Sequence, residues 1–193
     1  MKRIIILVVV ILCFCFITAC SYIDVNSKKD ETKNKDVPFA TKLKTGDKTV
    51  LTYGPCDVLY VIDGDTLMIN IDGIETKVRL IGINTPESVS YDESRNNYYG
   101  KKASDYTKSL IEKDNKVYLE YDEEKQDKYG RDLAYVYFKD GQMLNYILLQ
   151  KGYAQTMTIA PNTKHSAEFK EAETYAKNYK VGFWAEAGEE IYK

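Results

Sequence analysis

Two short stretches concentrate the groups that hydrolytic chemistry needs. "VIDGDT", residues 61–66, sets Asp63 and Asp65 either side of Gly64, on a bend between strand-like runs. "VRLIGINTPES", residues 78–88, carries Arg79 in a strand-like run and then turns through Asn84, Thr85, Pro86 and Glu87. The Asp-Gly-Asp bend alone is weak evidence, because most such turns are structural. The second stretch adds oxygens from Asn84 and Thr85, side chain or backbone, of the kind that hard cations such as Ca²⁺ take. Pro86 restrains the backbone and helps to aim Glu87, whose carboxylate, beside a metal-bound phosphate, can accept a proton from water.

The arginines extend the pattern. Beyond residue 45 there are three, Arg79, Arg95 and Arg131, with lysine used elsewhere. A guanidinium forks onto two phosphate oxygens, which an ammonium cannot do. Arg131 stands in "DKYGRDLAY", where a loop enters a strand, and Arg79 in a strand interior, where its charge requires a carboxylate, a ligand or water as partner. Each of these residues taken singly also suits an ordinary turn or salt bridge. Together, a carboxylate pair, an oxygen-rich turn, a base and fixed positive charge match the needs of phosphodiester hydrolysis. The single histidine, His165, leaves little scope for a histidine-based centre and fits a loop or helix start.

These groups need a frame. "CDVLYVIDGDTLMINI", the turn Asp72-Gly73 and "ETKVRLIGI" read as alternating strands around a hairpin. Val117–Tyr121 and "RDLAYVYF", ended by Asp140-Gly141, add further strands. Helical spacing recurs in Ala103, Tyr106, Leu110 and Ile111; in Leu144, Ile147 and Leu148, with Gly152 as the stop; and in Phe169, Ala172, Ala176 and Tyr179. The economical architecture is α+β, a five-stranded OB-fold β-barrel with about three α-helices. The 17 tyrosines fall mostly on strand and helix faces, where packing accounts for them.

The N-terminus reads differently. Residues 1–19 have a charged start, an apolar run from Ile4 and a small-residue end, the layout of a signal peptide. "ITAC" resembles a bacterial lipobox, which makes Cys20 the lipidated first residue of a mature, extracytoplasmic chain. The competing reading, an uncleaved anchor, has an apolar run short of the ~20 residues that span comfortably. Residues 20–45 are polar and lysine-rich and read as a disordered tether. Cys56 is then alone in the mature domain, forms no internal disulfide and fits a core position. The domain, residues 46–193, holds 19 Lys and Arg against 25 Asp and Glu, which argues against nonspecific duplex binding by bulk charge.

"VIDGDT", "VRLIGINTPES" and "DKYGRDLAYVY", in this order and spacing, resemble the staphylococcal nuclease (thermonuclease) family. The likeness continues through "GQMLNYILLQKGYAQ" and "VGFWAE" and covers nearly all of residues 56–186. It implies an OB-fold barrel with three helices and hydrolysis of DNA and RNA, using one Ca²⁺ ion and leaving 3′-phosphate ends. By the same likeness Asp65 is a calcium ligand, Thr85 a ligand through its carbonyl, and Glu87 the general base. Arg79 and Arg131 are the phosphate-binding arginines, Asp63 an acidic position behind the ligands, and Lys128 and Tyr129 contacts to a terminal phosphate. Asn84 departs from the pattern, standing where the best-known members have a ligating aspartate; it still offers an oxygen, but no charge. Thr158 is the nearest match to a pocket tyrosine, with Tyr153 a candidate substitute. A monomeric, lipid-anchored nuclease is the leading reading. The alternatives are a non-catalytic OB-fold module that binds nucleic acid and a lipoprotein for a small anionic solute.

Overall fold

The structure, a computed structural model, describes residues 40–46, 48–88 and 98–192. The chain divides into two units, residues 1–36 and 37–193, and only the second holds described residues. The expected signal segment, Cys20, most of the tether and Arg95 lie outside them.

The strands are β1 (Ala40–Thr45), β2 (Lys48–Asp63), β3 (Thr66–Ile71), β4 (Ile74–Leu80), β5 (Gly82–Asn84), β6 (Lys116–Glu120), β7 (Asp132–Tyr137) and β8 (Gln155–Met157). The helices are α1 (Tyr98–Ile111), α2 (Leu144–Gln150), α3 (Ser166–Asn178) and the single turn α4 (Phe183–Glu186), with a 3₁₀ turn at Gly188–Tyr192. The main sheet runs β1-β2-β3-β4-β7-β6, and β2 also pairs with β6. Strands β2, β3, β4, β7 and β6 therefore close into a five-stranded barrel, mixed because β4 and β7 run parallel. The expected α+β barrel is the fold observed.

Period-two alternation drives the closure. Leu67, Ile69, Val78, Leu119, Ala134 and Val136 all point inward and are fully buried, each large side chain contributing about 1.5–3 kcal/mol. Cys56 joins them in the core. The β3–β4 hairpin turns at Asp72-Gly73, both with positive φ (52° and 87°), as a two-residue turn between right-twisted strands requires. Gly152, at φ 71°, ends α2: its N–H and that of Tyr153 return to the carbonyls of Leu149 and Leu148, both at 2.9 Å, a helix stop that favours glycine.

Three details differ from the sequence reading. The paired backbone begins at Ala40, not 46, because β1 pairs with β2 from Ala40↔Tyr53 to Thr45↔Lys48; a polar edge strand carries no apolar pattern to reveal it. Strands β5 and β8, three residues each, pair with one another outside the barrel. Tyr179 lies past the end of α3 and is 69% exposed, leaning on Tyr175 at a centroid distance of 4.6 Å, while Phe169, Ala172 and Ala176 form the buried face.

Candidate active site

Asp65 follows Gly64 in the two-residue turn between β2 and β3, where Asp63 pairs with Thr66. Antiparallel register places Thr66 opposite Arg79 on β4, so the guanidinium and the Asp65 carboxylate meet at the end of the barrel. Arg79 Nη2 lies 3.0 Å from Asp65 Oδ2 and donates to Asn84 Oδ1 at 3.2 Å. Its Nη1 donates to the carbonyls of Leu80 at 2.8 Å and Ile83 at 2.9 Å. Asp65 Oδ2 also accepts from the Thr85 N–H at 2.8 Å, and Oδ1 from Thr66 Oγ1 at 3.0 Å. One carboxylate thus ties together the bend, β4 and the turn after β5.

A helix backs this bend. Thr107 on α1 donates through Oγ1 to the Gly64 carbonyl at 2.8 Å. A Cβ at Gly64 would stand 2.8 Å from Thr85 Oγ1 and 2.9 Å from the Ala103 methyl, so this position must be glycine for α1 and the turn to close on it. A register shift between Val61 and Asp63, a bulge of the kind that re-aims a side chain, accompanies the inward turn of Asp63. Its carboxylate accepts from the Gly64 N–H at 2.7 Å and from the Ser88 N–H at 3.3 Å.

Glu87 stands beyond Pro86 at the mouth of this cluster and is exposed. Partial desolvation, then the adjacent Asp63 carboxylate and the more distant Asp65, push its pKa above the usual carboxylate value, against the pull of Arg79. A carboxylate with raised basicity is better matched to accepting a proton from water.

Arg131 reaches the same place from the loop that enters β7. The parallel pairing Arg79↔Leu133 puts the residue before β7 alongside β4, and both arginines line one cleft of about 170 Å³ with Ile83, Met157, Ile159 and Asn162. Arg131 Nε donates to Asp127 at 2.7 Å, and the Arg131 backbone N–H donates to the same carboxylate at 3.0 Å. Burial works against its charge, but these bonds hold Asp127 below the usual carboxylate range. Lys128 and Tyr129 sit on the outer loop: the ammonium lies 5.0 Å from the Tyr129 ring centre, that ring is 72% exposed, and neither residue lines the cleft.

The pocket differs from the expectation built on Thr158 and Tyr153. Pairing of β5 with β8, Gly82↔Met157, turns Met157 and Ile159 to the cleft while Thr158 is exposed and lies outside its lining. Tyr153 stacks on Tyr106 at 4.1 Å and meets Phe183 edge-on, a packing role that keeps it from the site. Sequence reasoning also passed over Thr107, Asp127 and Asn145. Asp127 was discernible, four residues before an arginine in a polar loop. Asn145, fully buried, joins Ile81 to Val136 through its amide, and nothing in its sequence context marks it.

The side-chain oxygens of Asp65 and Asn84 both meet the Arg79 guanidinium, and oxygens of this kind suit a hard cation, although among the described residues no three His, Cys, Asp or Glu side chains are arranged to hold one. The Thr85 hydroxyl is buried with no hydrogen-bond partner among the described residues and packs against Gly64. Residues 77–186 match the family described as staphylococcal nuclease homologue. The chain is 39% identical over 128 residues to the thermonuclease of Staphylococcus hyicus, covering 66% of this chain and 74% of that one. It is 42% identical over 124 residues to the thermonuclease of Staphylococcus intermedius, covering 64% and 72%. Endonuclease YncB of Bacillus subtilis is 38% identical over 129 residues, covering 66% and 60%. With the barrel, the bend and the paired arginines in place, these likenesses lead to one conclusion: the chain is an enzyme of the staphylococcal nuclease family.

Proposed function

We propose that the protein is a Ca²⁺-dependent nuclease that hydrolyses DNA or RNA outside the cell, leaves 3′-phosphate ends, and is a monomer held to the membrane by lipid on Cys20. The observation that carries the catalytic part is the convergence of Asp65, Arg79, Asn84 and Thr85 at one end of the barrel, with Glu87 beside the Asp63 carboxylate and Arg131 lining a cleft together with Arg79. Asp65, Asn84 and the Thr85 carbonyl would hold the cation. Bound there, it supplies Lewis-acid stabilisation of the charge that builds on phosphorus-bound oxygens.

The rest is the work of the chain's own groups. Glu87 takes a proton from the attacking water, a step worth ~10²–10⁴-fold. Arg79 on β4 and Arg131 just before β7 face the phosphate and stabilise its added negative charge. The P–O5′ bond breaks, the 5′ oxygen is protonated from solvent, and the phosphate stays on the 3′ oxygen. The lipid anchor and extracytoplasmic site rest on the sequence pattern ending in Cys20.

End analysis tests the bond-breaking direction. A 5′-labelled single-stranded oligonucleotide digested with Ca²⁺ should give fragments that polymerase extends only after 3′-phosphatase treatment. Fragments extended without that treatment would contradict the proposal.

A further inference from the structure

Glu87 is exposed, so packing of its side chain does not fix where the carboxylate stands; the backbone of its turn must. Three contacts hold that backbone. Pro86 before it is buried, the Ser88 N–H donates to the Asp63 carboxylate at 3.3 Å, and the first turn of α1 closes on it at Gly100. A Cβ at Gly100 would overlap the Glu87 carbonyl and stand 2.6 Å from the Ser88 nitrogen. Gly100 is helical, and a glycine within a helix costs about 1 kcal/mol relative to alanine, so the position is glycine for space and not for conformation. The same helix reaches the Asp65 bend three and seven residues further on: the Ala103 methyl lies against Gly64, and Thr107 Oγ1 donates to the Gly64 carbonyl at 2.8 Å. Residues 100, 103 and 107 share one helical face, and all three are buried.

We infer that Gly100 is a positioning residue for hydrolysis: through α1 it holds the turn of Glu87 at a set distance from the Asp65 bend. This rests on the reading of Glu87 as the base proposed above. A helix is a rigid spacer, so base and bend cannot move apart unless α1 gives up its contact with one of them. A side chain at position 100 pushes the Glu87 carbonyl off the helix, and the carboxylate on the same residue moves with it. Misplacement of a reacting group by about 1 Å can cost about 10²-fold in rate. Arg79 lies on β4 and Arg131 just before β7, away from this turn, so the loss falls on kcat and not on KM.

The test is a double-mutant cycle in the purified protein, Gly100→Ala with and without Glu87→Gln. Cleavage of single-stranded DNA with Ca²⁺ is followed at enzyme excess for the rate and at steady state for KM. Gly100→Ala is expected to lower the rate roughly tenfold or more and to leave KM within about twofold. In Glu87→Gln no base remains to be misplaced, and the same substitution should change the rate less than about twofold. Gly141→Ala is the steric control: a Cβ there would overlap the Lys44 carbonyl of β1, outside the cleft lining, so it should lower the urea midpoint and leave the rate unchanged. If Gly100→Ala does not fold, Thr107→Val, which frees the other end of the same face without added bulk, goes through the cycle in its place. It should slow the parent several-fold and Glu87→Gln less than about twofold. Equal losses with and without Glu87→Gln, a loss matched by Gly141→Ala, or a folded Gly100→Ala protein that cleaves at the parent rate overturns the assignment and leaves the base reading standing. A Glu87→Gln protein as fast as the parent removes the base reading and this inference with it.

Discussion

Asp65 is only 5% exposed, and burial admits a carboxylate only where donors and a counter-charge are supplied. Thr66, Thr85 and Arg79 supply them. Beside it, Asn84 offers an oxygen without charge, and the cation site has one fewer negative neighbour than an aspartate would give. Asn84→Asp should lower the Ca²⁺ concentration for half-maximal activity roughly tenfold, about 1.4 kcal/mol. The added charge also strengthens the hold of Arg79, but a divalent ion gains twice as much from it as a guanidinium does. Titration of activity against buffered free Ca²⁺ checks this, and an unchanged or higher requirement rejects it.

At the scale of elements, β6 and the start of α3 are joined by a buried polar cluster away from the cleft. Glu120, 2% exposed, accepts from Tyr137 at 2.7 Å and from Lys164, and its other contact is His165 Nε2 at 2.9 Å. Burial pushes the Glu120 pKa up, but the bonds from His165, Lys164 and Tyr137 outweigh it and hold it at about 2. Burial lowers the pKa of His165, yet Glu120 and Glu168 carry it above its ordinary value. The depressed carboxylate contributes stability that is complete above its unfolded pKa, 4.5, and is lost as pH falls toward about 2. The raised imidazole contributes stability that is complete below 6.5 and is lost as pH rises through its folded value. Urea midpoints should therefore be highest near pH 5.5, and Glu120→Gln should cost about 2 kcal/mol there and flatten both limbs. Parallel profiles for parent and variant would contradict this. His165 was legible as a helix start, but its partners Glu120 and Tyr137 were not, because they come from β6 and β7, distant in sequence. The barrel strands were readable from alternation, and the Asp-Gly turn from its residue types. Strands β1, β5 and β8 were hidden, being polar or only three residues long. Arg79 and Arg131 were legible as phosphate-binding groups by type; that they share a cleft follows from the parallel β4–β7 pairing, which no local pattern encodes. Met157 and Ile159 reach that cleft by the same kind of nonlocal pairing.

For the whole molecule, charge is the governing constraint. Residues 46–193 carry 25 acidic against 19 basic side chains, and even the cleft of Arg79 and Arg131 also holds Glu124 and Asp127. Flexible single strands can lower one phosphate into such a cleft, whereas an intact duplex brings both backbones against an acidic surface. Single-stranded DNA should be cut several-fold faster than duplex of the same sequence, and equal rates would count against this. The most direct test of the catalytic account is the release of acid-soluble nucleotides from single-stranded DNA by the purified protein, with Ca²⁺ or with chelator, beside Glu87→Gln. The account predicts that chelator stops release and that Glu87→Gln lowers kcat by roughly 10²-fold or more while the fold is retained. Release that survives chelation, or a Glu87→Gln enzyme as fast as the parent, would contradict it.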